Sequence, residues 1–190
     1  DDWGQDQQPQ VARVALDYDT LRKAKSPVGL ALRLGPYPGP FANGAPASGP
    51  APSSRNFPSA RPDASTSQAA ASAQGDRVAL FLGDLAASLV QRARTNGVLV
   101  TELQLDFDCA TSKLDGYRVW VEAIQQRVAP LPVTITALPS WLRTPAFERL
   151  AQTAPNYVLQ VHSVERPSSV DAPFTLCDPA DAQRAVERAG

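Results

Sequence analysis

Apolar residues recur with two different periods along this chain, and the period switches from one stretch to the next. In "RVALFLGDLAASLVQRARTNG", Phe81, Leu85, Leu89 and Ala93 fall at helical spacing, and Asn96-Gly97 supplies a stop. "VLVTELQLDFD" then alternates apolar and polar residues, the signature of a strand. "LDGYRVWVEAIQQRVAP" returns to helical spacing, with Tyr117, Trp120, Val121, Ile124 and Val128 on one face. "PVTITALP" predicts another strand and "NYVLQVHSV" a third. Between them "TPAFERLAQTAP" predicts a short helix, capped by Thr144 with Pro145 at its first position. "DPADAQRAVERAG" repeats that arrangement with Asp178 and Pro179.

Upstream the pattern is weaker. The first ten residues are polar and should fray. "VARVALDY" has strand character, "DTLRKAK" suits a short helical turn, and Val28 to Leu34 predicts a buried strand stopped by Gly35 and Pro36. This division gives strand segments over 1–35, a Pro/Ala/Ser-rich flexible insertion over 36–76 and a β/α-repeat core over 77–190. The insertion offers too little apolar surface to offset the entropy of ordering.

Strands alternating with helices and short connections imply an α/β fold with a parallel sheet. The last three strand centres lie about 30 and 25 residues apart, near the size of a βαβ unit. A doubly wound open sheet and a (β/α)₈ barrel both fit, but no G-x-G-x-x-G turn follows any strand. Strand phase favours the barrel. Gln104, Asp106 and Asp108 oppose Leu103, Leu105 and Phe107; Thr134 and Thr136 oppose Val133, Ile135 and Ala137; Gln160 and His162 oppose Leu159 and Val161; Arg33 opposes Leu32 and Leu34. A sheet covered on both sides wants two apolar faces, whereas a barrel mouth wants one polar face at the C-terminal strand ends. A whole barrel takes about 250 residues. With five strand candidates in 190 residues, a partial or truncated TIM barrel is expected.

Composition narrows the partners. The chain is 43% hydrophobic with a formal net charge of −1, which gives no reason to expect nucleic acid or an anionic membrane. No apolar run reaches the roughly 20 residues of a spanning helix. The absence of methionine implies a processed chain or a piece of a longer one, and export followed by cleavage is one route to the former. Cys109 and Cys177 are either one disulfide or two inert thiols. No motif implies a cofactor or a metal, and the oligomeric state is left open.

The block from "LQLDFDCATSKLDGY" through "VTITALPSWL" to "YVLQVHSVERP" resembles a bacterial family known as domain of unknown function 3142, which is itself similar to glycoside-hydrolase-type TIM barrels. That resemblance implies a carbohydrate as substrate or ligand. A more distant similarity is to chitinase-type barrels with a D-x-D-x-E strand: Asp106 and Asp108 match its aspartates, but Ala110 stands where the acidic glutamate belongs.

Glycoside hydrolysis generally uses two carboxylates. Asp108, nearer the mouth, is the candidate acid or nucleophile, Asp106 would hold and tune it, and Glu165 is the candidate second carboxylate. Arg33, Gln104, Thr136, Gln160 and His162 are candidate sugar-binding residues, with Trp141 as an aromatic platform or a core residue. Tyr117 and Trp120 belong to the core, and Arg33 is expected to pair with a protein carboxylate. The expected function is a carbohydrate-active hydrolase, or else a silent carbohydrate-binding barrel; a hydrolase using the aspartates to hold a metal has least support.

Overall fold

The computed structural model describes residues 10–41, 64–154, 156–162, 169 and 176–189, with backbone only for 64–72. Its elements in chain order are α1 (Tyr18–Ala24), β1 (Val28–Leu34), α2 (Ala64–Thr95), β2 (Val100–Phe107), α3 (Leu114–Val128), β3 (Val133–Ala137), α4 (Pro145–Thr153), β4 (Tyr157–Leu159) and α5 (Pro179–Ala189). The protein is a mixed α/β structure around a four-stranded sheet of order β1-β2-β3-β4, in which every neighbouring pair is parallel.

Local chemistry sets the boundaries. Asp17 caps α1 by accepting a hydrogen bond from the Thr20 amide at 3.0 Å. Helix α2 stops at a left-handed Gly97 (φ 73°), where the Gly97 and Val98 amides donate to the Arg94 and Ala93 carbonyls. Thr144 caps α4 by accepting from the Phe147 amide, with Pro145 following it. Asp178 accepts from the Ala180 and Asp181 amides at the start of α5.

The register brings like residues into rows. Leu30, Leu103 and Val133 align across the sheet, as do Leu32, Leu105 and Ile135. This aliphatic face joins Val78, Leu82, Ala86 and Val90 of α2, Tyr117, Trp120 and Ile124 of α3, and Phe147 and Leu150 of α4 in one buried cluster. Arg127 pairs with Asp84 to tie α3 to α2, and Arg149 grips Asp115 through two bonds to tie α4 to α3. The opposite face, from Ala31 and Arg33 through Gln104 and Asp106 to Val158, stays partly or wholly exposed, and only Thr134 and Thr136 of β3 are buried on it.

Five expectations change. "VARVALDY" forms no strand: Val14 is 83% exposed, and a strand needs a ladder partner that the described residues do not provide. The insertion does not begin at Pro36, because Tyr37 is buried and both Tyr37 and Phe41 pack against Trp120 at 5.0 and 4.6 Å between ring centroids. Nor does it run to residue 76, since α2 starts at Ala64; the Ala-rich stretch has helix propensity without an apolar stripe to announce it. Residues 42–63 lie outside the described set. The buried stripe of α2 is Val78, Leu82, Ala86, Val90 and Ala93, which leaves Phe81, Leu85 and Leu89 at its margin. Finally, β4 covers Tyr157–Leu159 and leaves Val161 and His162 outside it, although the Gln160 amide extends its ladder to the Ala137 carbonyl at 2.9 Å; Ser163 and Val164 of the expected strand lie outside the described residues.

Candidate functional site

Strand alternation sends Glu102, Gln104 and Asp106 to the open face while Leu103, Leu105 and Phe107 go to the core. The β1–β2 register then sets Arg33 directly beside Asp106, with its Nε 3.8 Å from Asp106 Oδ2. From β3, the Thr136 hydroxyl donates to Asp106 Oδ1 at 3.0 Å. Just past β4, Gln160 Nε2 donates to Asp106 Oδ1 at 3.2 Å and to Asp108 Oδ1 at 3.4 Å.

Gln160 and the aspartates sit two strands apart, about 10 Å across a sheet. They meet because the residue between them, Thr136, is short and lets both side chains lean over it. Asp106 thus collects a hydroxyl, an amide and a guanidinium around a side chain that is 25% exposed. Those polar partners offset the cost of placing a carboxylate where water reaches it only in part. Asp108, one step past the end of β2, is exposed.

The structure therefore brings Arg33, Asp106, Asp108, Thr136 and Gln160 together at the C-terminal end of the sheet. Gln104 shares their face one step toward the N-terminal end and is half-buried. His162 is exposed and belongs to no described hydrogen bond of the network. Glu165 lies outside the described residues. Trp141 is not a platform: it is fully buried, beside Tyr117 and Phe147. Its indole N–H donates to the Cys109 carbonyl at 3.0 Å, which satisfies the ring's one polar group inside the core and braces the residue after Asp108.

Two features escaped the sequence reading. Glu102 belongs to the same alternating set, and its carboxylate accepts the Thr134 hydroxyl at 3.2 Å; the period-2 phase already marked it. Lys113 Nζ donates to the Tyr37 carbonyl at 2.5 Å and stands 5.9 Å above the Phe41 ring, so the segment after β1 is fastened to the start of α3. Phe41 also lies against Gly116, where a Cβ would collide with its ring. That contact spans 75 residues of chain and left no local signal.

Both cysteines are free thiols. Burial pushes the Cys109 thiol up to about 12, with Asp108 adding to the rise and Lys113 opposing it, so it is no nucleophile at neutral pH. Among the described residues, no three of His, Cys, Asp and Glu are grouped to hold a metal ion. Among the same residues no helix is long and apolar enough to cross a membrane.

Fold and site together define a mixed α/β protein whose parallel sheet gathers a polar cluster at its C-terminal end. The family model described as "Domain of unknown function (DUF3142)" matches residues 74–190, and the chain belongs to that family. Asp106, Asp108, Thr136 and Gln160 fall inside the matched segment, whereas Arg33 and β1 precede it. No curated protein and no solved structure matches the chain.

Proposed function

We propose that the sheet is part of a (β/α)₈ barrel and that the open polar face at its strand ends is the site of a carbohydrate-active hydrolase. The strand order supports the barrel. Right-handed crossovers between strands in sequence order put the connecting helices on one side, whereas a doubly wound sheet reverses its order and is covered on both.

The observation that carries the function is the network around Asp106. Thr136, Gln160 and Arg33 hold that carboxylate in place, while Asp108 beside it stays exposed to a ligand. In this reading Asp108 is the acid or nucleophile at the scissile bond and Asp106 positions it through their shared contact with Gln160. Glu165 supplies the second carboxylate. Gln104 and His162 contact sugar hydroxyls.

The test is turnover of a panel of oligosaccharides by the full chain, with Asp108→Asn as the control. Hydrolysis that falls by about 10²-fold or more in the variant supports the assignment. Hydrolysis untouched by the substitution sinks it. Ala110, at the position of the chitinase glutamate, favours a second reading in which the barrel binds carbohydrate without cleaving it. Saturable binding with no turnover would select that reading.

A further inference from the structure

The seams between neighbouring helices repeat one arrangement. Between α2 and α3, Asp84 pairs with Arg127 at 3.2 Å; between α3 and α4, Asp115 pairs with Arg149 at 2.8 Å. In each case the earlier helix supplies the acid, and the later one supplies an arginine that immediately precedes a buried residue, Val128 or Leu150. Both halves of this arrangement recur unused at the two ends of the series. Arg92 on α2 immediately precedes buried Ala93, and Glu187 on α5 follows buried Ala185 by two positions, as Asp84 follows buried Leu82. Arg92 and Glu187 stand in the last turn of their helices and are exposed, and among the described residues neither has an ion-pair partner.

Apolar surface is left over at the same two ends. Gly83 lies against Ala123 of α3, so Phe81 and Leu85 fall on the flank of α2 turned away from α3, where they are half-buried. On α5, Val186 holds the position that Gly83 holds on α2, one residue after a buried one, and it is 58% exposed. Tyr157 and Leu159 of β4 are half-buried, whereas Leu103, Leu105 and Ile135 on the same side of the inner strands are sealed. The outer strands β1 and β4 have one neighbour each among the described residues.

One end thus offers an arginine beside an apolar flank, and the other an acid beside an apolar flank. Resting on the barrel reading above, we propose that a second copy of this chain closes the barrel: β4 and α5 of each copy pack against β1 and α2 of the other about a twofold along the barrel axis, with Glu187 facing Arg92 at both seams. Four parallel strands are half of the eight in such a barrel, and this twofold keeps all of them parallel and leaves no free edge.

Sedimentation equilibrium of the full chain over a concentration series tests this. The parent chain should form a dimer that weakens as salt rises. Arg92→Glu and Glu187→Arg each set like charges at both seams and should raise the dissociation constant roughly tenfold or more. Mixed in equal amounts, the two variants should recover a heterodimer, because the unchanged Glu187 of one meets the unchanged Arg92 of the other and the substituted positions meet with opposite charge. Both positions are exposed, and circular dichroism verifies the fold of each variant. A chain that stays monomeric overturns the proposal and leaves the barrel reading in place, since that reading needs no second copy. A dimer indifferent to the substitutions, or variants that do not rescue each other, also overturns it. A dimer whose small-angle scattering shows two bodies side by side instead of one closed barrel takes the barrel reading down as well.

Discussion

Replacing Trp141 with phenylalanine separates a core residue from a sugar platform. The indole is fully sealed, and its N–H reaches the Cys109 carbonyl at 3.0 Å. Phenylalanine removes two buried ring carbons, at ~0.8 kcal/mol each. It also removes a hydrogen bond worth ~1 kcal/mol and leaves the part-buried Cys109 carbonyl short of its donor, for a combined loss of about 3 kcal/mol. For a chain of this size each kcal/mol lowers the melting midpoint by about 2–4 °C, so Trp141→Phe should melt roughly 6–12 °C below the parent. Thermal and urea unfolding of the full chain, followed by circular dichroism, measure this directly. A midpoint shift under about 2 °C together with lost glycan binding is the platform's signature and would refute the packing argument.

Tyr117 gives a contrasting case. Its hydroxyl is buried without a hydrogen-bond partner among the described residues, and burial drives its pKa well above the usual phenol range. Tyr117→Phe should therefore be neutral or stabilising by up to about 1 kcal/mol; clear destabilisation in urea would reveal a partner for the hydroxyl. Arg149, bonded twice to Asp115, holds that carboxyl below the ordinary carboxylate range. A depressed folded-state pKa contributes stability above the unfolded value and loses it as pH falls through the folded one. The effect of Arg149→Met on stability should thus be present at neutral pH and fade below about pH 4; because the pair is half-exposed the effect is small, and a difference that grows on acidification would contradict it. Cys109 should resist iodoacetamide at pH 8 in the folded chain and react readily once unfolded, as read by peptide mass spectrometry. Rapid labelling of the native protein would show that the thiol is less buried than its environment implies.

Much of the architecture was legible because it is local. Period-2 alternation in "TELQLDFD" marked which side chains share a face, and Thr144-Pro145 and Asp178-Pro179 marked helix starts, since both signals need only neighbours in the chain. The α2 stripe was misplaced because that helix carries apolar residues on more than one side, so several phases fit its sequence and packing against β2 and α3 selected one. "VARVALDY" misled for a related reason: alternation describes a strand's faces, not whether a partner exists to complete its hydrogen bonds.

The sequence by itself determined that Asp106, Thr136 and Gln160 would each occupy the polar phase of its own strand. Tertiary structure alone decided that they touch, because strand order and register choose which residues stand side by side. It also decided that Trp141 turns inward to Cys109 and that Tyr37 and Phe41 close over Trp120. Those contacts join residues 30 and more positions apart, and their energy exists only once the chain has brought the partners together.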